Sequence, residues 1–96
     1  RQSSEVGADY FAEDLPRIRR DVQRCHDRQL RSSAGSSLER VVLLITIAPN
    51  GSVELDMGDN VTDTAFGRCL SSRYPSWSFR RFEGSPVTLE RTYALQ

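Results

Sequence analysis

The chain contains no lysine. All 13 of its basic residues are arginine, and 13 acidic residues balance them to a formal net charge of zero. Such a balance gives no overall electrostatic footprint for nucleic acid or for an anionic bilayer. Exclusive use of arginine fits codon bias in a GC-rich bacterium; selection for bidentate carboxylate contacts would leave the same record. There is one histidine, one tryptophan and two cysteines. That inventory excludes C-x-x-C redox centres and the usual zinc motifs. Also missing are a glycine-rich phosphate loop, a G-x-S-x-G nucleophile elbow and an H-E-x-x-H helix, so no enzyme or cofactor site announces itself. No apolar run is long enough to cross a bilayer, and these residues do not read as containing a signal peptide. A start at Arg1 rather than at Met suggests a piece of a longer protein, whose anchor or targeting signal is expected upstream.

What is present amounts to one small domain of 96 residues, with room for a single two-layer core. Domains of this size often carry a covalent staple. Residues 1–10 are polar and without period, and 1–11 read as a linker or frayed start; the domain proper is expected over 12–96. Over 12–31, Leu15, Ile18, Val22, Cys25 and Gln29–Leu30 recur at steps of three and four, the mark of an amphipathic helix. Pro16 suits its first turn, with the start near Asp14–Leu15. Residues 32–37 (SSAGSS) make a connection. The run 38–48 (LERVVLLITIA) is aliphatic and β-branched, so it predicts a central strand or one covered on both faces. Ala48-Pro49-Asn50-Gly51 then spells a hairpin turn. Beyond it Val53, Leu55 and Met57 alternate with Ser52, Glu54 and Asp56 as a half-exposed strand.

Residues 58–62 read as a loop, and Thr62 or Asp63 as the cap of a second helix whose inner face carries Phe66, Cys69, Leu70 and Arg73–Tyr74. Pro75 stops that helix. Trp77 and Phe79 are expected as core lids. After Gly84-Ser85-Pro86 a last strand alternates Val87, Leu89, Tyr93 and Leu95 with Thr88, Glu90, Thr92 and Ala94. The predicted fold is therefore α+β in the order α-β-β-α-β, a three-stranded antiparallel sheet with both helices on one face. The most apolar strand belongs in the middle, and the other two are edges with polar outer residues.

Cys25 and Cys69 fall on the inner faces of the two helices. If both helices cover the same face of the sheet, the sulfurs can meet. A structural disulfide is the favoured reading, ahead of two reduced core cysteines and well ahead of a catalytic or metal-binding pair. His26 diverges from Cys25 by about 100° around the helix, so the two form no dyad, and His26 is expected toward solvent or a flank. Arg17, Arg19, Arg20, Arg24 and Arg28 form a basic face that Asp14, Asp21 and Asp27 interleave, which reads as solvated surface. The acids Asp56 and Asp59 read as turn formers, a Ca²⁺ site over Asp56–Asp63 lacks the full loop signature, and Asn60-Val61-Thr62 is a chance-level sequon.

Cys69-Leu70 followed by Trp77 and Phe79 resembles the C-x7-W-x-F signature of the AgmX/PglI C-terminal domains, relatives of the TonB C-terminal domain in myxobacterial envelope and gliding proteins. The segment Ile45-Thr46-Ile47-Ala48-Pro49-Asn50-Gly51-Ser52-Val53 and the pair Cys25 and Leu30 fit the same pattern, so the resemblance covers residues 14–95. The chain departs from it at His26, where the family has an aromatic, at Arg80 in place of proline, and at Tyr93-Ala94-Leu95. The resemblance implies a TonB-like periplasmic domain of a larger, inner-membrane-anchored protein that couples an energy source to an envelope partner. It further implies that a partner segment adds to the last strand, over Val87, Thr88, Leu89, Glu90, Arg91, Thr92 and Tyr93. The sequence pattern is compatible, because an alternating edge strand offers unpaired backbone groups to a partner or to a second copy of the chain. The expectation is thus a non-enzymatic binding module without a cofactor, partnered by a periplasmic or outer-membrane protein. The alternative is a homodimeric or spacer unit of an envelope assembly.

Overall fold

A computed structural model describes residues 7–32 and 40–94. The architecture is α+β: one antiparallel sheet of three strands with helices packed on one face. The elements are α1 (Leu15–Ser32), β1 (Arg40–Ile47), β2 (Val53–Asp56), a single turn α2 (Asp59–Thr62), α3 (Ala65–Arg73) and β3 (Val87–Ala94). Strand order is β2-β1-β3, so the most apolar strand is central, as expected. β1 pairs with β2 through Leu44↔Asp56 to Ile47↔Val53, and with β3 along its whole length from Arg40↔Ala94 to Ile47↔Val87. The SSAGSS connection and Leu95 lie largely or wholly outside the described residues.

The period of two in β1 explains its placement. Val41, Leu43, Ile45 and Ile47 point into the core beneath the helices, while Val42 and Leu44 emerge on the opposite face, 42% and 39% exposed. The strand is central but covered on one side only, because no helix of the described residues packs on the outer face. The hairpin turn forms where its residues place it. Gly51 N–H donates to Ala48 O (2.8 Å) and Ala48 N–H to Ser52 O (2.9 Å). Gly51 takes φ +93°, and the segment after Trp77 then crosses the turn, Phe79 N–H donating to Gly51 O (3.0 Å) and Phe82 N–H to Pro49 O (3.1 Å). A Cβ on Gly51 would lie 2.3 Å from Phe79 O, so the position needs glycine for both reasons.

Several local expectations are corrected. Residues Ala8–Phe11 form a 3-10 turn, and Phe11 is fully buried against Phe79 and Phe82. The domain therefore begins before residue 12; polar neighbours hid this core residue. The segment 58–62 contains the helical turn α2, and the cap of α3 is Thr64, whose Oγ1 accepts the Gly67 N–H at 3.0 Å. The approach of α3 to α2 is close enough that a Cβ on Gly67 would strike the Val61 carbonyl. α3 ends at Arg73, and Pro75 sits in a further 3-10 turn, Tyr74–Ser76. Trp77 and Phe79 are buried as core lids.

On α1 the buried arc is wider than apolar spacing implies. Ile18, Asp21, Val22, Cys25, His26 and Gln29 are all buried, whereas Leu30 is 50% exposed. The helix shares the core with the sheet and packs against α3, so adjacent residues such as Cys25 and His26 both fall inside. Placing His26 at the surface and Leu30 in the core is therefore wrong for this fold.

Three links on one row of α1 join it to the second half of the chain. Cys25 and Cys69 are disulfide-bonded, with Cα atoms 5.5 Å apart. One turn earlier, Asp21 Oδ2 accepts the Trp77 indole N–H at 2.7 Å, and its Oδ1 accepts from Arg73 Nη1 at 3.3 Å. One turn later, Gln29 Oε1 accepts the Phe66 N–H at 2.8 Å, a backbone group in the first turn of α3. Asp21 thus leaves the helix's solvent face, where it was expected.

Three outcomes follow for stability. Reduction of the Cys25–Cys69 bond, which closes a separation of 44 residues, should lower unfolding stability by about 4 kcal/mol, and thiol titration of the native protein should find none reactive. Asp21→Ala should cost about 2–3 kcal/mol by denaturant titration, since it strands the buried indole N–H and a cation. Gly51→Ala should cost about 2 kcal/mol or more by the same measurement.

Candidate functional site

β3 is an ordered edge. Each of its eight residues faces a partner on β1, yet no strand of the described residues pairs with its other side. In such a pairing every second residue turns its N–H and C=O away from the neighbour. The expected edge residues Val87, Thr88, Leu89, Glu90, Arg91, Thr92 and Tyr93 all lie in this strand. Leu89 and Tyr93 are buried against the helix layer, and Thr88, Glu90, Thr92 and Ala94 are exposed on the opposite face. Thr88 and Thr46, register partners, share a hydroxyl hydrogen bond of 3.0 Å there.

The other edge is a poorer template. β2 has only four residues, and its exposed side chains are Glu54 and Asp56. Asp56 Oδ1 accepts the Gly58 N–H at 3.1 Å, which matches its reading as a turn former.

Arg91 falls on the helix-facing side of β3, between Leu89 and Tyr93, and is half-buried. The alternation reading passed over this residue. Above Tyr93 lies Arg19 of α1, its guanidinium carbon 5.8 Å from the ring centroid, within reach of a cation–π contact. Arg19, Arg91 and Tyr93 line a cleft of about 340 Å³ whose remaining wall is Leu15 and Pro16 of α1 with Ala8, Asp9 and Ala12.

Zero net charge conceals a segregated surface. Asp14 pairs with Arg80 at 3.6 Å, and Asp21 is drawn inside. The outer face of α1 is left with Arg17, Arg20, Arg24, Arg28 and Arg31 at steps of three and four. Of the acids on that helix only Asp27 remains exposed. On the outer sheet face, Leu44 sits in register between Asp56 and Glu90.

Among the described residues, no group of three or more His, Cys, Asp or Glu side chains is arranged to hold a metal ion. No described helix is long and apolar enough to cross a membrane. Comparison with family models, with curated proteins and with solved structures finds no match for this chain.

Proposed function

We propose that this domain is a protein-interaction module of a bacterial cell envelope, TonB C-terminal-like in kind, that takes up an extended segment of a partner along the free edge of β3. The observation that carries the reading is an eight-residue strand held in register on one side and open on the other. Strand addition draws affinity from main-chain hydrogen bonds and specificity from alternate side chains, and β3 presents both. The Cys25–Cys69 disulfide supports an oxidising compartment, and the periplasm satisfies it. The resemblance of Cys69, Trp77 and Phe79 to the AgmX/PglI signature supports a parent protein anchored in the inner membrane. On this reading the domain couples that membrane to a periplasmic or outer-membrane partner in transport or gliding motility. A second copy of the chain offers the same edge chemistry, so a homodimer or spacer role is the competing reading.

The test is site-specific photo-cross-linking in the native cell. A photoreactive residue replaces exposed Thr92 on β3 or exposed Gln23 on α1 of the full-length protein. The expected result is an adduct with an envelope protein from position 92 and none from position 23. An adduct of twice the protein's own mass favours self-association. Adducts from position 23 alone, or with cytoplasmic proteins alone, sink the proposal.

A further inference from the structure

Resting on the edge reading above, we infer that the segment bound by β3 carries a carboxylate on its helix-facing side, seated between Arg19 and Arg91. The position of Arg91 motivates this. Helix-facing positions of an edge strand beneath a helix layer are apolar by default, and here Leu89 and Tyr93 obey that rule while Arg91 between them does not. A second arginine, Arg19, overhangs the same cleft from α1. Neither guanidinium belongs to an ion pair among the described residues; the three pairs found there use Arg73 and Arg80. Asp9 also lines the cleft, but it pairs with neither arginine.

Two like charges lining one cleft repel, and an anion between them relieves the repulsion. Guanidinium forks match carboxylate geometry in particular. α1 begins at this cleft with Leu15 and Pro16, so the positive end of its dipole favours the same sign of ligand.

The placement also fixes spacing in the partner. In a strand added to β3, side chains opposite one another on a shared face stand about 5 Å apart. The residue opposite Arg91 therefore points into the cleft. Its neighbours two positions away lie beside Leu89 and Tyr93 and are best apolar. The occupant is thus an extended peptide patterned apolar-x-acid-x-apolar, with small polar residues at the positions between, toward Thr92 and Glu90.

Three blocked peptides test the inference: acetyl-Thr-Val-Thr-Glu-Thr-Val-Thr amide and its versions with glutamine or lysine for glutamate. Each is titrated into the ¹⁵N-labelled protein and followed by amide shifts. The expected result is shifts over residues 87–94, with the glutamate peptide about tenfold tighter than the glutamine peptide and the lysine peptide weakest. Arg19→Gln with Arg91→Gln should erase the glutamate preference while keeping the glutamine peptide's affinity and the dispersed spectrum of a folded domain. Equal affinity of all three peptides, with shifts still on β3, overturns the acidic pocket and leaves strand addition standing. Absence of β3 shifts with every peptide at millimolar concentration also overturns it, and the edge reading then stands or falls on the cross-link from position 92.

Discussion

The seam between α1 and the second half of the chain holds the rest of the structure in place. Asp21, Cys25 and Gln29 lie four residues apart on one row of α1, and each is joined across to a different partner. The indole of Trp77 reaches Asp21, Cys69 bonds to Cys25, and the first turn of α3 donates to Gln29. Successive links are separated by about 6 Å along the helix axis. The central link is covalent, and the outer two fix the angle at which α3 and the Trp77 segment meet α1. A hydrogen bond to a buried carboxylate is stronger than one between neutral groups, so the Asp21 end adds direction as well as energy. With the helices joined, the sheet face carrying Leu43, Ile45 and Ile47 has a fixed lid.

That lid decides what the strands can do. β1 is enclosed by both neighbours, and β2 is short and acidic. Among the described strands, β3 alone combines length, full registry and an open side. An open edge is also an aggregation hazard, and an inward-pointing charge is one way to blunt it. Arg91 can serve both ends: it disfavours an apolar strand of another molecule and favours a segment that brings a carboxylate. Discrimination would then come from the cleft beside β3 and affinity from the backbone of the strand itself.

Much of this was legible in the residues. The aliphatic run of β1, the Pro49-Asn50-Gly51 turn and the alternation of β3 are local signals, and local backbone preference sets them. The cysteine pairing needed one assumption, that both helices share a face, and the packing of α1 against α3 over the buried face of β1 supplies it. The polar members of the seam were not legible. Asp21 and His26 read as solvent-facing because polar residues usually are, and Gln29 fell on the recurring face with no partner in view; only the docking of α3 makes their side of α1 interior. Their spacing of four on either side of Cys25 was the available clue for Asp21 and Gln29. Phe11 was hidden for the opposite reason, as an apolar residue in a polar stretch too short to show a period. The inward placement of Arg91 was missed because an alternating pattern still looks intact when one inward position is charged. The charge balance likewise misled, since composition cannot show that Asp14 and Asp21 turn away from the arginines of α1.

The central claim is that β3 is a formed strand with one side unoccupied in the oxidised, unliganded domain. Native-state amide hydrogen exchange tests it most directly. The account predicts alternation along Val87–Ala94, with amides that donate to β1 protected and those between them exchanging near the rate of free peptide. Uniform protection of the strand would show its edge already covered, and uniform fast exchange would show no strand to offer; either result contradicts the account.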